Sequence, residues 1–208
     1  MDFLFQRFTN AGQADYIGEP ISQIEHSLQC AYFAEKAGHS EEVILASLLH
    51  DIGHFFPNTE QYKMADLGTV HHEWIGAKLA YDLHFSPKVA LLIGHHVDAK
   101  RYLAAKKSNY YTRLSLASQQ TLSYQGGPML QEELQTFEQL PLFKEILQVR
   151  INDEKSKEID LEVPDLAYYL PMIQQHMHNQ QRKEIEPLTD FVDKHWVKQL
   201  KLQLYTKL

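Results

Sequence analysis

Histidine and aspartate side chains in this sequence have the types and placement needed to bind metal ions. His50 and Asp51 are adjacent, and they offer one imidazole and one carboxylate at the end of a strongly apolar segment. An unpaired charge buried there would cost several kcal/mol, and a metal ion would remove that cost. Taken alone, the dipeptide is weak evidence for a metal site.

Further candidate ligands lie on other parts of the chain, which has twelve histidines in 208 residues. His26, His72 and His96 fall on separate predicted helices, and Asp153 lies far downstream. Together with His50-Asp51 they are enough for two six-coordinate ions with open positions, and Asp51 could bridge the ions. Imidazole-rich sites favour iron, manganese, cobalt, nickel or zinc over magnesium and calcium. These ligands alone do not distinguish iron from manganese.

The segments that must position these side chains are predicted to be helices. Residues 20–38 have apolar side chains at helical spacing, with a proline for the first turn and a glycine for the stop. After Ser40 as a cap, a segment apolar on nearly every side runs to Leu49, and such a helix belongs in the centre of a fold. Further helices are predicted at about 71–83, 87–97, 108–123, 130–150, 164–178 and 187–206. No convincing pair of strands is present, so the predicted fold class is all-α.

Composition excludes several classes of function. The net charge of −7 is spread along the chain without a Lys/Arg stripe, so nucleic acid is not an expected partner. The single cysteine, Cys30, rules out an internal disulfide framework and fits a reducing compartment, as a small residue on a buried helix face. The first ten residues lack the features of a signal peptide, and no run approaches 18 apolar residues. We expect a cytoplasmic protein without a membrane partner.

Four separated blocks of sequence resemble the HD-domain superfamily, and more closely its mixed-valent di-iron oxygenases that cleave 2-amino-1-hydroxyethylphosphonate. The superfamily is named for its His-Asp pair, and two further histidines mark its dinuclear members. The blocks are residues 15–19 (DYIGE), 25–34 (EHSLQCAYFA), 48–54 (LLHDIGH) and 124–129 (YQGGPM). The resemblance implies an HD-domain helical bundle with the dinuclear site in its centre. We expect a catalytic domain over residues 1–180 and a helical extension over 181–208, for which we can place no counterpart.

The resemblance also implies the ligand set and the cofactor. Its six metal ligands in this sequence are His26, His50, Asp51, His72, His96 and Asp153. They would hold two iron ions in the Fe2+/Fe3+ state, with Asp51 between them.

Two of these ligands have a histidine neighbour, which makes their assignment a choice. Adjacent residues on a helix point about 100° apart, so only one of each pair can face inward. His72 is chosen over His71, and His96 over His95, because the residue that follows each matches the family pattern. His71 and His95 are then expected in solvent or beside the ligands.

Two cations lie at helical spacing from these ligands. Lys100 is four residues after His96, and Arg150 is three residues before Asp153, so each shares a face with a ligand if its helix continues. Isolated cations of this kind are usually surface residues. Here two metal ions and two carboxylates leave the site positive, which favours an anionic substrate. Lys100 and Arg150 are expected to hold its oxygens, Arg150 through a forked pair of hydrogen bonds.

The remaining site residues are implied by the resemblance alone. Ser118 and Gln125 would add neutral hydrogen bonds to the substrate; otherwise they would be an ordinary helix serine and loop glutamine. His54, one turn after the His-Asp pair, would contact substrate or support the ligands. Tyr16 and Glu19 would form a catalytic lid, in which the tyrosine occupies an iron position until substrate displaces it.

The function implied is an oxygenase that uses O2 to cleave the C–P bond of a 1-hydroxy-2-aminoethylphosphonate-type substrate. Its products would be phosphate and glycine, or an N-substituted glycine. The alternative is a dinuclear-metal HD phosphohydrolase acting on a phosphate ester or nucleotide, in which the metals activate a water. A third hypothesis, a binding or regulatory module without turnover, is disfavoured by the complete ligand set. The amine substitution, and the choice between monomer and homodimer, stay open.

Overall fold

The computed structural model describes residues 20–55, 63–64, 68–180 and 194–208, with side chains described from residue 197 in the last segment. These parts of the chain form eleven α-helices and one 3₁₀ turn. They contain no β-strand, only an isolated antiparallel bridge between Lys63 and Thr69. The predicted all-α fold class is confirmed.

The elements follow one another along the chain with short connections. They are α1 (Gln23–Lys36), α2 (Glu41–Leu49), the 3₁₀ turn (Ile52–Phe55), α3 (His72–Asp82), α4 (Pro87–Gly94), α5 (His96–Lys106), α6 (Tyr110–Arg113), α7 (Leu116–Tyr124), α8 (Gln131–Glu138), α9 (Phe143–Lys155), α10 (Leu166–Asn179) and α11 (Lys194–Tyr205).

Helices α2 and α4 form the centre of the fold. Every residue of α2 from Val43 to Leu49 is buried, and so is every residue of α4 from Val89 to Gly94. Helices α1 and α9 pack on α2, while α3 and α11 pack on α4. Because burial of a large aliphatic side chain contributes about 1.5–3 kcal/mol, these two helices have little freedom to shift. The predicted central position of α2 is confirmed, and His50 directly follows its last residue, Leu49.

Helix α1 begins three residues later than the sequence pattern predicts. Pro20 precedes the helix, and Ser22 is its cap: the Ser22 hydroxyl accepts from the Glu25 N–H, while the Glu25 carboxylate accepts from the Ser22 N–H. These two hydrogen bonds satisfy the backbone N–H groups of Ser22 and Glu25, which have no partner within the helix. The helix ends at Lys36, and Gly38 then adopts a φ of 68°.

The predicted helix 87–97 is two helices in the structure. Helix α4 ends at Gly94, His95 lies between, and α5 begins at His96. The Gly94-His95-His96 sequence interrupts the apolar run here, but it contains no proline, and the sequence pattern therefore predicted one continuous helix. The break makes His96 the first residue of α5, and Lys100 follows one turn later.

The predicted helices 108–123 and 130–150 are also divided. A new helix, α7, starts after the cap Ser115. Helices α8 and α9 are separated around Pro141, which cannot donate the backbone hydrogen bond of a helix interior. Helix α9 then continues to Lys155, five residues beyond the predicted end, because its inward face there is buried.

The last described helix, α11, packs on α4. Leu200 and Leu204 are buried, and the Tyr205 hydroxyl lies 2.9 Å from His95 Nε2. Residues 181–193 are outside the described part, so the boundary near residue 180 stays a prediction. Among the described helices, none is both long and apolar enough to cross a membrane.

Gly53 marks the closest approach of the 3₁₀ turn to α3. A β-carbon at this position would overlap the backbone carbonyl of His72. We expect Gly53→Ala to lower the free energy of unfolding by about 3 kcal/mol, because rigid backbone must move apart to admit one methyl group. Denaturant unfolding of the purified variant measures this loss.

Gly76→Ala serves as the milder comparison for that experiment. Its added methyl group would lie 3.2 Å from the Gly53 nitrogen and from the Ile52 side chain, which needs only a small adjustment. We expect a loss of about 1 kcal/mol for it. Equal stability of the Gly53→Ala variant and the parent protein would contradict the packing described here.

Candidate metal centre

Six side chains from four helices and one connection converge near the centre of the bundle. They are His26 on α1, His50 and Asp51 after α2, His72 at the start of α3, His96 at the start of α5, and Asp153 on α9. None is more than 7% exposed. Groups of this chemistry are rarely buried together unless a charge partner compensates them.

His26 and His50 form the first histidine pair. Their Nε2 atoms lie 3.1 Å apart. Asp153 Oδ1 is 3.3 Å from His26 Nε2 and 3.8 Å from His50 Nε2. Two imidazole nitrogens and one carboxylate oxygen therefore face one small space.

His72 and His96 form the second histidine pair, with Nε2 atoms 3.2 Å apart. Asp51 lies between the two pairs. Its Oδ2 is 3.3 Å from His50 Nε2, whereas its Oδ1 is 3.4 Å from His72 Nε2 and 3.6 Å from His96 Nε2. One carboxylate thus presents a separate oxygen to each pair, as a bridging ligand would.

The other ring nitrogen of each paired histidine contacts a backbone carbonyl. The Nδ1 contacts are His26 with Ser156 O at 2.7 Å, His50 with Ser47 O at 2.8 Å, His72 with Thr69 O at 3.1 Å, and His96 with Ile93 O at 2.7 Å. A carbonyl oxygen only accepts hydrogen bonds, so each Nδ1 carries a hydrogen and donates it. In the neutral rings the Nε2 lone pairs therefore point at one another.

Facing lone pairs at this distance need a cation between them. Two nitrogens that bind the same metal ion at about 2.1 Å, with an N–metal–N angle of roughly 90°, lie about 3 Å apart. The two histidine pairs have this separation. The donor set, four imidazoles with two carboxylates, suits first-row transition ions and not the oxygen-preferring magnesium or calcium. The described residues therefore fit a pair of such ions.

The Asp51 carboxylate favours a proton on one histidine of each pair. Burial opposes a charge on His50, but the neighbouring Asp51 carboxylate raises the pKa of His50 well above its usual value. The pKa of His72 is raised in the same way, by its hydrogen bond with Asp51 against the effect of burial. Burial and the nearby His50 and His72 lower the pKa of His96 to about 3, which makes it an acceptor. Metal binding would displace such protons.

His54 has the opposite tautomer from that of the paired histidines. Its Nδ1 accepts a hydrogen bond from the Thr69 N–H at 3.2 Å, so its Nε2 carries the hydrogen. Its ring stacks on His72 with centroids 4.0 Å apart, and its Nε2 is 3.9 Å from Asp51 Oδ1. His54 therefore presents a donor, whereas the paired histidines present lone pairs.

A cavity adjoins the two carboxylates and the second histidine pair. Lys100 lies in its wall, 3% exposed, and donates hydrogen bonds to Thr121 Oγ1 at 2.8 Å and Gln125 Oε1 at 2.9 Å. Burial, then the charge of Arg150, lowers the pKa of Lys100 to about 7. The other polar residues of the wall are His54, Ser118, Thr121, Gln125, Arg150 and Lys157.

Arg150 reaches the cavity but is largely engaged by neighbouring side chains. Its Nη1 contacts Asp153 Oδ2, and its Nε lies 2.9 Å from Glu154 Oε1 and 3.0 Å from the Tyr110 hydroxyl. Arg150 lowers the pKa of Asp153 well below its usual range, against the opposing effect of burial. The guanidinium thus orients Asp153 and keeps it ionised.

Comparison with known proteins agrees with this arrangement. The sequence profile of the HD domain matches residues 24–136, more than half of the chain. The chain belongs to the HD-domain family. The His-Asp dipeptide after which that family is named is His50-Asp51 here, where it contributes to both halves of the centre.

Two similar HD-domain proteins are named as phosphonate dioxygenases. The 1-hydroxy-2-(trimethylamino)ethylphosphonate dioxygenase (glycine-betaine-forming) of Leisingera caerulea is 42% identical over 84% of this chain and 88% of its own. The hydroxymethylphosphonate dioxygenase of Gimesia maris is 38% identical over 80% of this chain and 82% of its own. An uncharacterized protein of Acanthamoeba polyphaga mimivirus is 42% identical over 80% of this chain and 75% of its own.

His71 and His95, the sequence neighbours of His72 and His96, lie outside the candidate metal centre. His71, with a φ of 60°, precedes α3, and its side chain is 29% exposed and 3.7 Å from Glu73. His95 is buried, but it faces away from the ligands: its Nδ1 lies 2.8 Å from Asp98 Oδ2 and its Nε2 contacts the tyrosine hydroxyl of α11. Neither histidine joins the two pairs.

Other predicted residues have different outcomes. Ser118 and Gln125 line the cavity beside Lys100. Tyr16 and Glu19, predicted as the lid, lie outside the described residues, and their role stays a prediction.

Two cavity residues have no signal in the sequence. Thr121 holds Lys100 from α7, and Lys157 enters the cavity from beyond α9, donating to Ser118 Oγ at 3.3 Å. Their roles depend on how α7 and α9 pack, and no motif spacing reports this. A lysine two residues after α9 has the pattern of a solvent-exposed side chain.

Proposed function

We propose that this HD-domain protein is a metal-dependent oxygenase that cleaves the C–P bond of a 1-hydroxy-2-aminoethylphosphonate-type substrate. The observation that carries the proposal is a doubled histidine centre with a cation-lined cavity directly beside it. The similarity to two phosphonate dioxygenases supports it over a phosphohydrolase. The overall reaction balances with one O2 and no external reductant: 2-amino-1-hydroxyethylphosphonate gives glycine and phosphate.

We further propose that the cofactor is a pair of iron ions. Each would be held by one histidine pair, with Asp51 shared and Asp153 beside His26 and His50. When bound, iron supplies the redox chemistry with O2 that none of these side chains can perform. The chain itself supplies fixed lone pairs, two carboxylate charges and a buried setting.

The substrate-binding residues lie on one side of this centre. Lys100 is the cation best placed for the phosphonate, because its partners Thr121 and Gln125 are neutral and leave its charge uncompensated. His54 Nε2–H would donate to a substrate oxygen near Asp51. Ser118 and Gln125 would add hydrogen bonds from α7 and its end.

Arg150 has a different role in this proposal from the forked phosphonate contact expected from sequence. Its Nη1 and Nε are directed at Asp153, Glu154 and Tyr110. We assign it to orienting Asp153 and to adding positive charge to the cavity wall. The substrate would then meet Lys100 as its principal cation.

Replacement of Lys100 by methionine should lower kcat/KM for the phosphonate by about 100-fold, since a charge-assisted hydrogen bond in a buried site contributes roughly 1.5–3 kcal/mol. Most of the change should be in KM, because Lys100 does not touch the metal ligands. Lys88→Met is the control: Lys88 pairs with Glu42 at 2.9 Å and does not line the cavity. A Lys100→Met enzyme with a normal KM would refute this role.

Phosphonate affinity should also depend on pH through Lys100. The amine is charged below its pKa of about 7 and neutral above it, so affinity is lost as pH rises through that value. Initial rates at low substrate concentration across neutral pH measure the effect. Lys100→Arg, whose guanidinium stays charged, should remove this limb of the profile; if the limb persists, another group causes it.

Oxygen consumption distinguishes the proposal from the hydrolase alternative. The purified, iron-loaded protein should consume O2 only when the hydroxyphosphonate is added, and phosphate should appear in equal amount. A hydrolase would release phosphate from an ester under nitrogen, and that result would refute the oxygenase. The same assay with a primary and a trimethylated amine identifies the preferred substrate.

The single cysteine supports a proposal for the cellular location of this protein. The one cysteine, Cys30, is free and buried, as expected of a chain that works in the cytoplasm. We propose that location, with a small phosphonate and O2 as the only reactants and a monomer or homodimer as the working form.

A further inference from the structure

A second cavity opens between the end of α5, the start of α7 and the end of α9. We call it the basic groove. Six of its described lining residues are cationic: Lys106, Lys107, Arg113, Arg150, Lys155 and Lys157. Glu154 is the one acidic residue among those described. Such a concentration of positive charge is unexpected in a chain with a net charge of −7.

The basic groove adjoins the cavity of the metal centre. Ser118, Arg150 and Lys157 line both spaces. Lys157 lies at the junction, where its Nζ donates to Ser115 Oγ at 3.0 Å and Ser118 Oγ at 3.3 Å. These two hydroxyls position the ammonium at the junction.

Much of the charge in the outer part of the groove is not compensated. Lys106 pairs with Glu138 at 2.8 Å, and Arg150 is engaged by Asp153 and Glu154. Lys107, Arg113 and Lys155 are exposed, and within the described part of the chain they form no ion pair. The groove therefore has positive charge along its length, and it adjoins the cavity of the metal centre, which is also lined by cations.

We propose that the basic groove is the entrance for the doubly charged phosphonate, and that Lys157 transfers it from the groove to the cavity of the metal centre. This inference rests on the proposed function and adds the route to it. A concave surface of one charge sign concentrates small counter-ions and increases their rate of entry.

Neutralising the outer cations tests the entrance. In the triple variant Lys107→Gln, Arg113→Gln, Lys155→Gln, we expect kcat/KM at about 20 mM ionic strength to fall about tenfold while kcat changes little. Added salt should lower kcat/KM of the unmodified protein, and the two proteins should converge at about 500 mM. The matched control is Lys36→Gln, Lys144→Gln, Lys198→Gln. It changes the net charge equally, since 17 cations less 27 acids give −10 in both variants, and none of its positions lines the groove.

Lys157 is tested by a conservative and a neutral substitution. Lys157→Gln should lower kcat/KM at low salt, and Lys157→Arg should restore it, because a structural role for the aliphatic stem would not follow the charge. Circular dichroism and thermal unfolding of each variant verify that the fold is intact. Equal loss in both variants, with intact folds, would refute the transfer role.

A binding measurement separates this inference from the proposed function. Calorimetric titration of the metal-loaded protein with inorganic phosphate needs no turnover. Weaker phosphate binding in the groove variant than in the control variant, at low salt only, supports the groove even if no phosphonate is oxidised. Identical behaviour of the two triple variants in both assays would overturn the proposal, whatever the reaction proves to be.

Discussion

Asp51→Asn is expected to reduce bound metal from two ions per chain to one or none and to lower kcat/KM at least 1000-fold. The carboxylate directs Oδ2 at His50 and Oδ1 at His72 and His96. Asparagine is neutral and has only one acceptor oxygen, so its NH₂ group would face the lone pairs of one histidine pair. A loss of this size corresponds to about 4 kcal/mol of transition-state stabilisation.

Metal analysis of the purified protein, together with oxygen uptake, measures both effects of Asp51→Asn. The control is Asp160→Asn, which makes the same change at an exposed residue with a φ of 58°, a conformation that asparagine also adopts. This variant should keep two ions and normal turnover. Two tightly bound ions in the Asp51→Asn protein, with turnover within tenfold of normal, would show that Asp51 does not bridge the centre.

His72→Asn is expected to remove one ion, keep the other, and abolish oxygen-dependent turnover by a factor of at least 1000. The first histidine pair, with Asp153 and Asp51 Oδ2, is untouched by the change. The second pair loses one of its two nitrogens. Chemistry that needs both ions therefore stops although the protein still binds metal.

The neighbouring residue provides a control with the same substitution. His71 has a left-handed backbone that asparagine tolerates, and its side chain is partly exposed. His71→Asn should retain both ions and turn over within about threefold of normal, as surface substitutions usually do. Equal damage in the two variants would contradict the assignment of His72 as a ligand.

The sequence predicts the general arrangement of this site because its strongest signals are local. An almost wholly apolar segment ending in His50-Asp51 must be central, since it has no polar face to expose. The buried helix α2 confirms this expectation. Helical spacing does not place His26 on the apolar face, because it lies about 200° from Ile24 and Leu28, and the resemblance alone implies its position in the site.

What the sequence does not predict depends on contacts between distant segments. The break at His95 lies in the Gly94-His95-His96 sequence, which has no proline to mark the end of a helix. The hydrogen on His26 Nδ1 is fixed by a carbonyl 130 residues away. The partners of Arg150 come from α6 and from its own helix, so its engagement could not be inferred from its spacing to Asp153.

The paired imidazoles are all oriented by main-chain oxygens, at Ser47, Thr69, Ile93 and Ser156. A point mutation at any of these positions changes the side chain but keeps the carbonyl. The outer support of the centre is thus insulated from substitution in a way that a shell of carboxylates would not be. Redesign of this enzyme for other anions should therefore preserve the course of the backbone at these four buried positions.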